Sequence, residues 1–235
     1  MLTPARRRGV EILDDPSVDP AVRDRSMVDI KRSNRLLGGL RAALIEIRAA
    51  RENERGPLTL LDVGTGFADI PQSAAAEAAR AGVSLTTIAL DEAPSLLLAA
   101  RRRVAYGVAA NALKLPFRDA SIDIVVCSQV LHHFDDASAR RLIAELNRVA
   151  ARAVIVSDLR RSWIAAAGFW LVSVLLRFSP VTRHDGVVSV LRGFTARELT
   201  NMVGDETGVA PDVHRRLGFR ITVRWTPRGV RAQAA

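Results

Sequence analysis

From Leu58 onward, short apolar runs alternate with stretches of helical periodicity, and this alternation restricts the chain more than any other feature. Runs that stay apolar on consecutive positions fit strands buried on both faces, as in a parallel sheet. Parallel strands need a crossover between them, usually a helix. The expected strands are Leu58 to Val63, Ser84 to Leu90, Val104 to Ala109, Ile122 to Cys127 and Ala153 to Ser157, with helices at about 68 to 81, 94 to 103 and 137 to 150. Val209 to Arg216, a Leu217-Gly218 turn and Phe219 to Trp225 predict an antiparallel hairpin closing one sheet edge. The fold class is therefore α/β, a doubly wound, mainly parallel sheet.

Two helical segments fall outside that alternation. Residues 1 to 56 read as an N-terminal cap, in which Leu36 to Ile47 has apolar side chains three and four apart around the Gly38-Gly39 pair, and Arg55-Gly56-Pro57 ends the pattern. Residues 57 to 235 form the main domain, with a helical lid inserted at about 162 to 203. Trp163 to Val172 is apolar on all sides, so a helix there is expected to be buried in protein or lipid over most of its circumference. Arg183-His184-Asp185-Gly186 follows as a loop after Pro180, and Thr195 with Glu198 three residues on predicts the cap of a second helix.

Charge and cysteine content narrow the function classes. The formal charge of +9 invites a nucleic-acid reading, but only Lys31 and Lys114 among the 34 basic residues are lysines, and the arginines are spread through every segment, so a nucleic-acid surface is not the expected partner. The lone Cys127 lies in an apolar run and is expected to be an inert buried thiol in a reducing cytoplasm; no metal-ligand set accompanies it. Arg6, Arg7 and Arg8 precede Glu11, Asp14 and Asp15 rather than an apolar stretch, which is not a secretory signal. The longest uncharged stretch, Ser162 to Leu176, falls short of the roughly 18 to 20 residues a spanning helix needs, which leaves peripheral membrane contact open.

The first strand ends in Leu61-Asp62-Val63-Gly64-Thr65-Gly66-Phe67-Ala68-Asp69. Gly64 and Gly66 allow a sharp turn where α/β sheets bind ligands, at a strand's carboxyl end. Asp62 and Asp69 flank the glycines with no Lys or Arg near, which opposes the phosphates of a dinucleotide and suits a cationic ligand such as S-adenosylmethionine. Asp69 also stands where a dinucleotide fingerprint has its third glycine. Asp91, at the end of the second strand, is placed to accept hydrogen bonds from ribose hydroxyls.

Four motifs in order resemble class I S-adenosylmethionine-dependent methyltransferases: Leu61 to Gly66, Asp91, Ala110 to Phe117, and Ser121 to Val126 followed by Val130-Leu131-His132-His133-Phe134. Within that class the match, over roughly residues 58 to 160, looks most like the branch that includes ubiquinone and menaquinone C-methyltransferases. The resemblance implies that Gly64, Thr65 and Gly66 line the methionine and ribose, that Asp62 and Asp69 hold the ammonium, and that Asn111 and Ala112 meet adenine. Ser128 and Gln129 fall beside the methyl group. Asn111 departs from the usual acid and would accept from the exocyclic amine through its carbonyl.

Methyl transfer asks the protein to position a nucleophile, exclude water and, where needed, remove a proton. His132 and His133 are candidates for that proton, as is His184 with Asp185 as its orienting carboxylate; His214 reads as a solvent-facing strand residue. No Gly-x-Ser-x-Gly elbow is present, which argues against a hydrolase. The apolar lid suggests a hydrophobic acceptor, a phenol, quinol or polyketide-derived aromatic, methylated at oxygen or ring carbon. Glu11 to Pro16, Asn34 to Gly39 and Arg183 to Gly186 are similar to methyltransferases encoded beside type III polyketide synthases. RNA or protein methylation and a non-catalytic scaffold are the alternatives.

Overall fold

The computed structural model describes residues 3–228 apart from Arg8, Pro16, Asn53 and Arg55. Those four positions, which include members of the Arg6–Arg8 cluster, the N-terminal pattern and the break before Leu58, lie outside the described residues, as do the chain ends.

Among the described residues seven strands form one sheet: β1 (Leu58–Val63), β2 (Leu85–Asp91), β3 (Tyr106–Ala109), β4 (Ile122–Ser128), β5 (Ala150–Leu159), β6 (Asp212–Arg216) and β7 (Arg220–Trp225). Their order is β3-β2-β1-β4-β5-β7-β6. β1 runs parallel to β2 and β4, which pair in turn with β3 and β5, while β7 is antiparallel to β5 and β6. The expected strands and hairpin are thus present, with β5 reaching further than the apolar run alone suggested, because Ala150 enters it directly from a helix and Asp158 continues it. The strand order reverses between β1 and β4, which opens a crevice at their carboxyl ends.

Helices cover both faces of the sheet. α1 (Pro20–Leu36) and α2 (Gly39–Arg51) meet at the Gly38-Gly39 joint, and α2 places Ile47 against Leu58, Leu60, Ile124, Val126 and Ile155. On the other face α5 (Asp136–Val149) and α8 (Ala196–Thr207) bury Leu142, Ile143, Leu146, Leu199 and Val203 against β4, β5 and β7. α3 (Asp69–Arg80) and α4 (Pro94–Ala100) are the crossovers flanking β2. Glu46 of α2 is buried beneath the hairpin, where it accepts from Thr222 Oγ1 at 2.6 Å and pairs with Arg216. Burial raises its pKa, yet Arg216 and Thr222 hold it below the ordinary value. His214, expected to face solvent, keeps only part of that exposure, since its Nδ1 lies 3.2 Å from Glu46 without the alignment of a hydrogen bond.

The lid departs from expectation in two respects. Arg183 to Gly186 is not a loop but part of α7 (Pro180–Arg192), because Pro180 at the first helical position starts a helix rather than ending one and Ser179 caps Thr182 N at 3.1 Å. Gly186 gives α7 a close approach to α6 (Trp163–Leu175): a Cβ there would stand 2.0 Å from Phe169 Cε1. Within the protein α6 is not buried around its circumference. Its inner face rests on α7, whereas Trp170 is 52% and Leu175 70% exposed, and the Arg7 guanidinium stands 5.0 Å from the Trp163 ring centroid. Among the described residues no helix is long and apolar enough to cross a membrane. Thr195 and Glu198 form the expected capping box of α8.

Candidate active site

A cavity of about 880 Å³ opens at the carboxyl ends of β1, β2 and β4, roofed by α1, the Ile12–Asp14 turn and the inner faces of α6 and α7. Gly64, Thr65, Gly66, Asp62, Asp69, Asp91, Asn111, Ala112, Ser128, Gln129, His132, His133 and Asp185 all line it. His184 does not reach it.

The glycine turn forms the floor. Gly64 has φ +70° and donates to Leu90 O at 2.8 Å; a Cβ on it would lie 2.3 Å from Val130 Cγ2, so only glycine serves there. Thr65 Oγ1 donates to Asp62 Oδ2 at 2.8 Å, while Asp62 Oδ1 is buried with no hydrogen-bond partner. Burial drives the Asp62 carboxyl up to about 7; the Thr65 bond opposes this and the nearby charge of Asp91 adds to it. Thr65 alone does not offset the burial, and Oδ1 lacks the cation or donor that would stabilise the charged form. Ser128 Oγ at the end of β4 is likewise buried and unpaired.

Asp69 fares differently. Lys31 of α1 approaches it at 2.9 Å and Arg103 at 3.5 Å, so the expectation that no basic residue stands near the turn is corrected by residues remote in sequence. Of the two acids that flank the glycines, Asp62 has no basic partner among the described residues. Asp91 is fixed by two backbone amides, Gly66 N to Oδ2 and Ala93 N to Oδ1, both at 3.0 Å, with lone pairs left for further donors. Asn111 commits its carbonyl oxygen to Leu113 N at 2.7 Å, which corrects the expectation that this oxygen is free for an adenine amine and leaves the NH₂ group as the available handle. Gln129, at φ +58°, accepts from Arg220 Nη1 at 2.6 Å.

Past the end of β4 stands a buried histidine–aspartate pair. His132 Nδ1 lies 2.6 Å from Asp158 Oδ1, and the His132 amide donates to Asp158 Oδ2 at 3.1 Å. Asp158 is wholly buried, which raises its pKa, but His132 and the Leu159 amide more than offset this and hold it below the ordinary carboxylate value. The carboxylate thus fixes the imidazole's orientation, the arrangement a general base needs. His133 stacks on His132 at 4.3 Å between centroids, with its Nδ1 3.4 Å from Asp14. Burial lowers the His133 pKa, but Asp14 and Glu11 raise it further than burial lowers it, and the same contact holds Asp14 down at about 2. Glu11, His132 and His133 bring possible ligand atoms within 4.8 Å of one another, a grouping their spacing in sequence did not suggest; Glu11 Oε1 already accepts from Ser189 and Arg192.

The lid pair is corrected. His184 is 51% exposed and has its Nδ1 2.8 Å from Asp185, so it meets the expected carboxylate but is not part of the cavity lining. Asp185 is buried and, besides meeting His184, accepts from the Ile12 and Leu13 amides at 2.8 and 3.0 Å, so it anchors the N-terminal turn over the cavity. Asp158 was missed, although an acid at a strand's carboxyl end is the same signal that marked Asp91. Cys127 is buried, and burial pushes its thiol well up, as expected of an inert residue.

The sheet order, the antiparallel β7 between β5 and β6, and the glycine turn at the switch point define a Rossmann-like methyltransferase fold. Residues 61–156, less than half of the chain, match a family described as a methyltransferase domain. No curated protein matches the chain. Among solved structures it is similar to magnesium protoporphyrin IX methyltransferase from Synechocystis PCC 6803 with bound S-adenosylmethionine, at 13% identity and TM-score 0.54 over 92% of this chain and 88% of that one. A S-adenosylmethionine-dependent methyltransferase from Aquifex aeolicus aligns at 16% identity and TM-score 0.58, over 86% and 98% of the two chains. The pyocyanin biosynthetic protein PhzM aligns at 18% identity and TM-score 0.62, over 94% of this chain and 62% of that one. At these identities the likeness is one of fold. Residues 61–156 are thus similar to a methyltransferase domain, whose methyl donor would be S-adenosylmethionine. The site fits that donor: an unpartnered buried carboxylate oxygen suits an ammonium, and Asp91 retains acceptor capacity for hydroxyls.

Proposed function

We propose that the chain methylates a hydrophobic small molecule bearing a phenolic or quinol hydroxyl, with His132, oriented by Asp158, as the base that takes the hydroxyl proton. The observation that carries this reading is the buried His132–Asp158 pair opening into the same cavity as the glycine turn. Leu13, Met27, Ile30, Phe134, Phe169 and Val190 contribute apolar lining to the cavity, whose volume falls within the range of about 300–1,000 Å³ typical of small-molecule sites. The donor supplies an activated methyl group; the protein positions, excludes water and moves one proton. Asp62 would hold the ammonium, Asp91 the ribose hydroxyls, and Asn111 with Ala112 the adenine. His132 takes the hydroxyl proton on its free ring nitrogen while Asp158 stabilises the resulting imidazolium. A phenolate exposes both oxygen and ring carbon, so orientation in the cavity decides which is methylated.

RNA or protein methylation is less well supported. Arg140, Arg148, Arg152, Arg161 and Arg192 are spent on ion pairs with neighbouring acids, so much of the basic excess does not form an open surface. Labelled methyl transfer to a panel of phenols and quinols, run beside total RNA and unfolded protein, tests the reading. Incorporation into phenols is expected; incorporation confined to RNA or protein would overturn it.

Asp62 makes cofactor affinity depend on pH. Its carboxyl sits near 7 in the free protein, and an ammonium pairs with the ionised form, so binding tightens as pH rises through 7. S-Adenosylhomocysteine is expected to bind about tenfold more weakly at pH 6 than at pH 8, with proton release at pH 7 in calorimetry. Asp62→Asn should bind weakly at both pH values without that slope. A slope that survives in Asp62→Asn would assign it to another group.

A further inference from the structure

We infer that Arg220 is an anion receptor in the acceptor half of the cavity, so that the molecule methylated carries a carboxylate or comparably acidic group besides its nucleophile. This rests on the reading of the cavity as an acceptor site.

Arg220 opens β7, is 3% exposed and lines the cavity. A buried guanidinium ordinarily has a carboxylate partner, because its desolvation is otherwise uncompensated. Among the described residues no Asp or Glu lies within ion-pair distance of it. Its partners are neutral: Gln129 Oε1 at 2.6 Å and Asn34 Oδ1 at 3.5 Å. Nε has no partner at all. A guanidinium offers five N–H donors, so most of this one's capacity is unused. Arg161, equally buried, shows the ordinary solution, with Glu198 at 2.7 Å and the Pro4 and Gly193 carbonyls completing its fork. Burial pulls the Arg220 pKa down to about 10, against the raising influence of Asp158, so the residue stays cationic at neutral pH.

Asp158 acts on Arg220 only through space: the Asp158 oxygens accept from His132 and the Leu159 amide, and the two residues make no ion pair. Arg220 pairs across the strands with Leu159, which also lines the cavity, so the two side chains leave the same face of the sheet and belong to one cavity wall. That wall lies outside β4, beyond Gln129, whereas the cofactor turn follows β1. The second possible source of an anion, the donor's own carboxylate, belongs with the ammonium near Asp62.

Benzoate and benzamide, titrated into the full chain saturated with S-adenosylhomocysteine, separate these sources. Benzoate is expected to bind wild type about tenfold or more tightly than benzamide. The preference should vanish in Arg220→Met and shrink in Arg220→Lys, with S-adenosylhomocysteine affinity unchanged in both. Equal binding of the two probes to wild type, or binding of neither, would overturn the inference, and that comparison needs no variant to fold. A loss of S-adenosylhomocysteine affinity in Arg220→Met with the benzoate preference intact would assign the arginine to the donor and also overturn it. Failure of every phenol to accept a methyl group, with the benzoate preference present, would instead count against the acceptor reading alone.

Discussion

Gly64→Ala is expected to weaken S-adenosylhomocysteine binding by about a hundredfold and to lower the stability of the free protein by about 2–4 kcal/mol. Two costs combine. The residue sits at φ +70°, a conformation that penalises any L side chain, and the new Cβ would meet Val130 Cγ2 at 2.3 Å. Neither neighbour can retreat freely. Gly64 is held by its bond to Leu90 O, and Val130 leads directly into the turn that carries His132. Relief of the clash must therefore move the donor's floor or the base. Calorimetry and a thermal melt measure the two effects, and adding Val130→Ala should recover part of the stability, since it removes the colliding methyl groups while the positive φ remains. Unchanged affinity in Gly64→Ala would remove the turn from the cofactor site.

The second large effect concerns the base. His132→Asn is expected to lower kcat by about 10²–10⁴ with S-adenosylhomocysteine affinity preserved, because proton removal is lost while the donor's floor is untouched. Asp158→Asn should lose a comparable factor. Its amide can no longer stabilise an imidazolium, and it replaces an ionised group that accepts from the His132 ring and from the His132 and Leu159 amides. Non-additivity marks the pair as one unit, so the double variant should be little slower than either single one. His133→Asn is the control. Its ring is engaged with Asp14 and Glu11 at the cavity rim, and a change of only a few fold is expected. Rates measured on any phenol that accepts a methyl group decide the matter; a large loss in His133→Asn with His132→Asn near normal would transfer the role to the neighbouring ring.

What could be read in the chain and what could not divides along the range of the interaction. β1, its glycine turn and Asp91 were legible because each is announced by adjacent residues: an apolar run, glycines at a strand end, an acid at the next strand end. The capping box of α8 is equally local. Asp69 was misjudged because its partners, Lys31 and Arg103, reach it from other elements, and no local pattern predicts an ion pair between them. His184 has its carboxylate beside it, but adjacent helical residues point in different directions, so Asp185 reaches inward to the Ile12–Asp14 turn while His184 stays outside the cavity. Asp158 and Arg220 acquire meaning only when the sheet is assembled, the first against His132 and the second across β5. The exposure of α6 was hidden for a related reason: hydropathy shows that a helix is apolar, not how many neighbours cover it.

The decisive observation is a crystal structure of the protein with S-adenosylhomocysteine and a phenol that it methylates. The acceptor oxygen is expected within about 3.2 Å of the His132 ring nitrogen that faces away from Asp158, with the sulfur of the nucleoside over the Gly64–Gly66 turn. An acceptor whose hydroxyl lies out of reach of His132 in that complex would contradict the mechanism proposed for this site.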